Sequence, residues 1–82
     1  IKSLVEKFRE LDEQKSQIMQ DLVVLYSKSP DLATSYVSVA VLHALGMSKN
    51  VQEAYLWAKG LDESETFIHH FDIGKSLAEY FT

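Results

Sequence analysis

Apolar residues recur every three or four positions through the first third of the chain: Ile1, Leu4, Phe8, Leu11, Ile18, Leu22 and Leu25. This is the a/d spacing of a heptad, with Lys15 standing at one a-type position. Glu6, Arg9, Glu10, Glu13, Gln17 and Gln20 fill the opposite face. The pattern predicts a helix over 1–28, about 42 Å long at 1.5 Å per residue. A compact domain of this size needs less. The pattern therefore has two uses, pairing with another chain or packing along its own bundle.

The stretch Ser-Lys-Ser-Pro-Asp-Leu, residues 27–32, signals a new helix. Ser29 can cap, Pro30 suits a first helical position, and Asp31 favours the positive end of the dipole. The second helix is predicted over 31–45, with Gly46 supplying the left-handed residue that ends it. Tyr36 to Val41 also alternates like a β-branched strand; the cap, the length and the terminal glycine decide for helix. Only Thr34, Ser35 and Ser38 interrupt its apolar circumference, as expected of a central helix or one at an oligomer interface. A third helix is predicted over 49–59. It starts after Ser48 or Asn50, the latter in capping-box spacing with Glu53. Gly60 would end it in a Schellman turn, folding Leu61 back onto Leu56. Val51, Ala54, Tyr55 and Ala58 form its inner stripe. Trp57 lies about 100° off that stripe, as an interface anchor or as a cover for the shoulder of the core.

The last helix is predicted over 63–81, opened by Asp62 with Glu65 or by Ser64. Phe67, Phe71, Gly74, Ala78 and Phe81 share one face, with Leu77 at its edge. A glycine inside a helix costs about 1 kcal/mol against alanine. Gly74 on the apolar face thus marks either close approach of another helix or a break over 72–74. The predicted architecture is all-α: one domain over 1–82, a small antiparallel four-helix bundle with a long, heptad-patterned first helix.

Composition narrows the function classes. The 82 residues carry a formal charge of −4 and no cysteine. Disulfide frameworks and thiolate zinc sites are excluded, and broad electrostatic attraction to nucleic acid or anionic membrane is disfavoured. No apolar run approaches the ~20 residues needed to span a bilayer, and no signal-peptide pattern opens the chain. A cytoplasmic protein is the expectation. The chain opens at Ile1, already inside a helical pattern, as a piece of something longer would.

Candidate chemistry centres on Phe67-Ile-His-His-Phe-Asp72. On a helix His69 and His70 diverge by about 100°. His70 falls at the edge of the aromatic face, whereas His69 shares a polar strip with Glu65 and Asp72. Glu65, His69 and Asp72 are the weak candidates for a metal ion; neither His-Glu-x-x-His nor Glu-x-x-His is present. His43 lies among Leu32, Tyr36 and Val39 on an apolar face, as a core histidine satisfied by backbone or hydroxyl, or as a residue lining a ligand site. No strained nucleophile turn or glycine-rich phosphate loop occurs. The sequence calls for no cofactor and no catalytic residue.

The segment from Leu42 to Leu61, LHALGMSKNVQEAYLWAKGL, is similar to the helix-turn-helix core of bacterial regulators, with Leu-Gly-Met-Ser as the turn. That resemblance implies DNA binding through residues 41–59. It covers about twenty residues and departs from the pattern in that Val51 arrives one position early. The recognition helix carries Lys59 and Glu53 but no arginine to read guanine. The preferred reading is a non-enzymatic protein–protein interaction module, a regulatory or adaptor domain acting as a homodimer through helix–helix contacts. Trp57, Tyr55, Tyr80 and Phe81 are its expected partner-binding anchors, and Lys15 sets register. A DNA-binding regulator is the alternative, and a metal-dependent enzyme ranks third.

Overall fold

A computed structural model describes Glu6, Lys7, Glu10 and residues 12–81, with the side chain of Phe81 outside the description. Over the described residues 12–81 four helices follow one another: α1 Glu13–Tyr26, α2 Leu32–Ala44, α3 Ser48–Lys59 and α4 Ser64–Phe81; Glu6, Lys7 and Glu10 are also helical. No strand occurs among the described residues. The all-α bundle expected from the patterning is therefore the fold. No described helix is long and apolar enough to cross a membrane.

The predicted first helix is interrupted. Asp12 has an extended backbone (φ −65°, ψ 164°), and its carboxylate accepts a hydrogen bond from the Lys15 amide at 2.8 Å. It is thus an N-cap, with Glu13 reinforcing the acidic first turn. A capping side chain won over continuity of the heptad. The other starts also differ locally. Asp31, not Ser29, caps α2: its carboxylate accepts from both the backbone and the hydroxyl of Thr34. Those two bonds, the hydroxyl one first, hold Asp31 below the ordinary carboxylate range. Ser29 serves the turn before it, accepting from the Asp31 amide.

Helix α3 begins at Ser48 after Met47, without a side-chain cap, so the Asn50–Glu53 box is not its start. Gly46 adopts the left-handed conformation foreseen for it (φ 74°). Gly60 does not; its φ is −82°. The chain instead turns through Leu61–Ser64, with the Ser64 amide donating to the Leu61 carbonyl. Leu61 packs on the core, while Leu56 stays exposed, so the predicted fold-back does not form.

Helix α2 is the central element. It packs against all three others, most extensively α4, and α1 rests chiefly on it. Val39, Ala40, Val41 and Leu42 are buried on it, with Ala54 and Ala58 of α3 and Phe67, Phe71 and Ala78 of α4. Its serines are buried rather than forming a solvent strip. The Ser35 hydroxyl donates to the carbonyl of Ser27 at 2.6 Å, tying the end of α1 to α2. A buried carbonyl left without that donor would be destabilising by about 1–3 kcal/mol.

Helix α4 runs unbroken through Gly74. A Cβ placed there would lie 3.1 Å from a Tyr36 ring carbon and 3.2 Å from the Ala40 Cβ. The glycine is therefore a point of close approach between α2 and α4.

Candidate functional site

Two features stand out once the bundle is assembled: the outer face of α1, and a cleft where α2, α3 and α4 meet.

None of the residues of α1 is buried. Val23 and Val24 are half-buried toward α2, with Ser16 and Gln20 beside them and buried Ser27 just beyond. The heptad residues face the other way. Ile18, Leu22 and Leu25 are 55%, 40% and 66% exposed, and Met19 and Tyr26 flank them, also exposed. At 100° per residue the two groups are centred roughly 140° apart. The helix is apolar on both sides, and the side that carries the heptad is the one turned outward. Gln20, which the pattern assigned to the solvent face, lies inward and donates to the Ser16 hydroxyl. Lys15 is exposed at the start of this stripe.

The cleft has a volume of about 460 Å³. His43 of α2 lines it, with Val51, Gln52, Tyr55, Leu56 and Lys59 of α3 and Asp72 and Lys75 of α4. Tyr55 organises it. Its hydroxyl donates to the Asp72 carboxylate at 2.8 Å, and its ring meets those of His43 and Phe71 edge-on at 6.3 and 5.3 Å. Burial, then the hydrogen bond to Asp72 and its charge, push the phenol well above its ordinary pKa. His43 is shifted the opposite way for a base: burial and the neighbouring Lys75 disfavour its charged form, against weaker pulls from Glu79 and Asp72. Its Nε2 is closed off from solvent and has no hydrogen-bond partner among the described residues. His43 lines this cleft, and among the described residues its Nε2 lacks the backbone or hydroxyl partner expected of a core histidine.

The other anticipated residues separate. Glu65, His69 and Asp72 border one shallow groove with Lys59, but no group of three or more His, Asp or Glu among the described residues is placed to hold a metal ion. Asp72 is turned instead to Tyr55. His70 sits at the packing boundary as expected. Its Nδ1 donates to the Thr66 carbonyl at 2.8 Å, and its ring meets Tyr36 edge-on. Trp57 is half-buried against Phe67, with ring centroids 5.6 Å apart, and covers the shoulder of the core. Tyr55 is committed to internal contacts. Of the three expected anchors whose side chains are described, Tyr80 is the one set outward, at 82% exposure; the side chain of Phe81 lies outside the described residues. The helix-turn-helix segment corresponds to the end of α2, the turn at Gly46 and α3. The outer face of α3 carries Lys49, Gln52, Leu56 and Lys59, and Glu53 pairs with Lys28 at 3.9 Å.

Sequence reasoning missed the Tyr55–Asp72 bond and the two lysines beside it. These residues lie on different helices, and no local spacing signals the contact. Comparison with known proteins finds no matching family model, no similar curated protein and no similar solved structure.

Proposed function

We propose that this protein is a non-enzymatic interaction module that homodimerises through α1, in the manner of a regulatory or adaptor domain. The observation that carries the reading is the outward heptad stripe of Ile18, Leu22 and Leu25, widened by Met19 and Tyr26. Together these side chains leave one apolar face of α1 open to water, the kind of contiguous patch that marks an association site. The occupant proposed is a second copy of the chain. A two-fold interface needs a patch that complements itself, and a heptad stripe does so by construction, its knobs fitting the holes of an identical helix.

Lys15 argues for the orientation. Side by side in parallel, two Lys15 ammonium groups would face each other across an a-type position. In an antiparallel pair they lie at opposite ends of the seam, out of mutual repulsion. The small size of the domain adds to the drive, since its own core buries a limited fraction of its surface.

Sedimentation equilibrium of the 82-residue chain across micromolar to millimolar concentration tests the reading. A monomer–dimer equilibrium is expected. The doubly substituted Leu22→Glu, Leu25→Glu chain should be monomeric with an unchanged far-UV helical signal, because neither side chain is part of the core. A wild-type chain that stays monomeric at millimolar concentration, or a double variant that still dimerises, refutes the proposal.

A further inference from the structure

None of the α1 stripe residues proposed to form the dimer lines the cleft between α2, α3 and α4. The geometry points to a ligand site there for a small amphipathic carboxylate, a short hydrocarbon or aromatic body bearing one acid group.

Charge is the first argument. The chain as a whole is acidic, at −4. In the cleft lining Lys59 and Lys75 stand against one carboxylate, Asp72, while Glu79 acts on His43 from outside that lining. That carboxylate already accepts the Tyr55 hydroxyl, which holds the phenol in the wall. An anion entering therefore meets two ammonium groups from different helices, a local attraction inside an otherwise repelling surface.

The apolar side of the ligand follows from the other wall. Val51 closes the base, and Leu56 stands at the rim with 68% of its surface in water. A leucine that exposed beside two lysines gives a hydrocarbon body something to cover, while the acid group reaches the cations. Sites of this volume ordinarily combine such an apolar lining with a few converging polar groups.

His43 belongs to the wall: its ring lines the cleft, edge-on to Tyr55, with Nε2 shielded from solvent and so out of reach of a ligand in the opening.

The test is a titration of the ¹⁵N-labelled 82-residue chain with hexanoate and 3-phenylpropanoate, followed by amide and imidazole NMR signals. The neutral amide 3-phenylpropanamide is the control for simple apolar sticking. Saturable shifts are expected at His43, Gln52, Leu56 and Lys75, with a Kd in the millimolar range or tighter, as the number of ligand atoms allows. The amide should bind about fivefold more weakly or worse, and Lys75→Met should weaken the acid by a similar factor, as befits partly exposed charge-assisted contacts. Lys75 is exposed, so that variant keeps the fold. Its unliganded spectrum, matching wild type away from the cleft, checks this directly. Equal binding of acid and amide, shifts centred on the α1 stripe, or no saturable shift with either acid overturns the proposal.

Discussion

Replacing Gly74 with alanine sets two known effects against each other. Alanine in a helix interior gains about 1 kcal/mol over glycine. The added methyl, however, would sit 3.1 Å from Tyr36 Cε2 and 3.2 Å from the Ala40 Cβ, where carbon atoms prefer about 3.5–4.0 Å. Relief has to come from the neighbours. Ala40 is fully buried and has no side-chain torsion to turn, so its methyl moves only with the α2 backbone. Tyr36 is half-buried, with its ring edge-on to His70 at 5.9 Å. The remaining route is to spread α2 from α4 by a few tenths of an ångström, along the most extensive helix contact in the bundle. Overpacking of this kind costs about 1–3 kcal/mol. The steric term exceeds the propensity gain, and a net loss of about 1 kcal/mol is expected. Urea unfolding followed by circular dichroism measures it. With a slope near 1 kcal/mol per molar for so small a domain, the midpoint should fall by about 1 M with the slope unchanged. All comparisons belong at one protein concentration, because a dimer makes the midpoint depend on it. Ala40→Gly makes the test sharper: in that background the alanine at position 74 meets one fewer obstacle. Its effect should shrink or turn stabilising, giving a coupling on the order of 1 kcal/mol. A Gly74→Ala chain more stable than wild type would refute the reasoning. So would additivity of the two substitutions.

Two further outcomes follow from buried groups. Phe71 is fully buried, edge-on to Tyr55 and Phe67, so Phe71→Ala should cost about 3–5 kcal/mol. Total stability for a chain of this length is roughly 4–12 kcal/mol, and at about 4–8 °C per kcal/mol the calorimetric midpoint should fall by more than about 10 °C; a cooperative melt within a few degrees of wild type would contradict the core assignment. His43 makes stability depend on pH: burial holds its folded pKa below the ordinary 6.5, so between the two values the unfolded chain binds more protons. The contribution is therefore fully present above pH 6.5 and is lost as pH falls below it. Urea midpoints at pH 7.5 and 5.5 should drop further for wild type than for His43→Gln, and parallel drops would show that His43 is not the group responsible.

The bundle was legible where helix signals are local. Asp31 and Gly46 bracket α2 within a residue of the expected bounds, because a cap and a left-handed glycine act through their own backbone. The same logic explains the misses. Asp12 lies inside an unbroken heptad, so periodicity reads through it. Its capping role rests on one carboxylate accepting the Lys15 amide, a bond that residue type alone suggests less strongly than the stripe suggests a continuous helix. Gly60 could adopt a left-handed turn, but Leu61 had a better place on the core, and the chain took the route that buries it. The cleft was less legible still. Tyr55 and Asp72 are seventeen positions apart, and only the packing of α3 on α4 brings them together. His43 was recognisable as the histidine without a local partner, and the helices then placed it beside Lys75.

The inversion of α1 shows what a heptad pattern does and does not determine. Seven-residue periodicity guarantees that Ile18, Leu22 and Leu25 share a face; it says nothing about which neighbour covers that face. The choice was made by the residues between them. Val23 and Val24 give the helix a second apolar side, and Ser27 sits where its carbonyl can receive the Ser35 hydroxyl. Docking through that side satisfies a helix-end carbonyl. Docking through the heptad side would bury more hydrocarbon but turn Ser27 away from the hydroxyl on α2. With α2 already surrounded by α3 and α4, one side of α1 must be left over, and the left-over side is the one whose spacing suits another helix. The proposed dimer is therefore a consequence of how the monomer resolves a helix with two apolar faces. A single substitution separates the two docking modes: Ser35→Ala should loosen α1 on α2, raising amide exchange along α1, while leaving the outward stripe and its self-association in place.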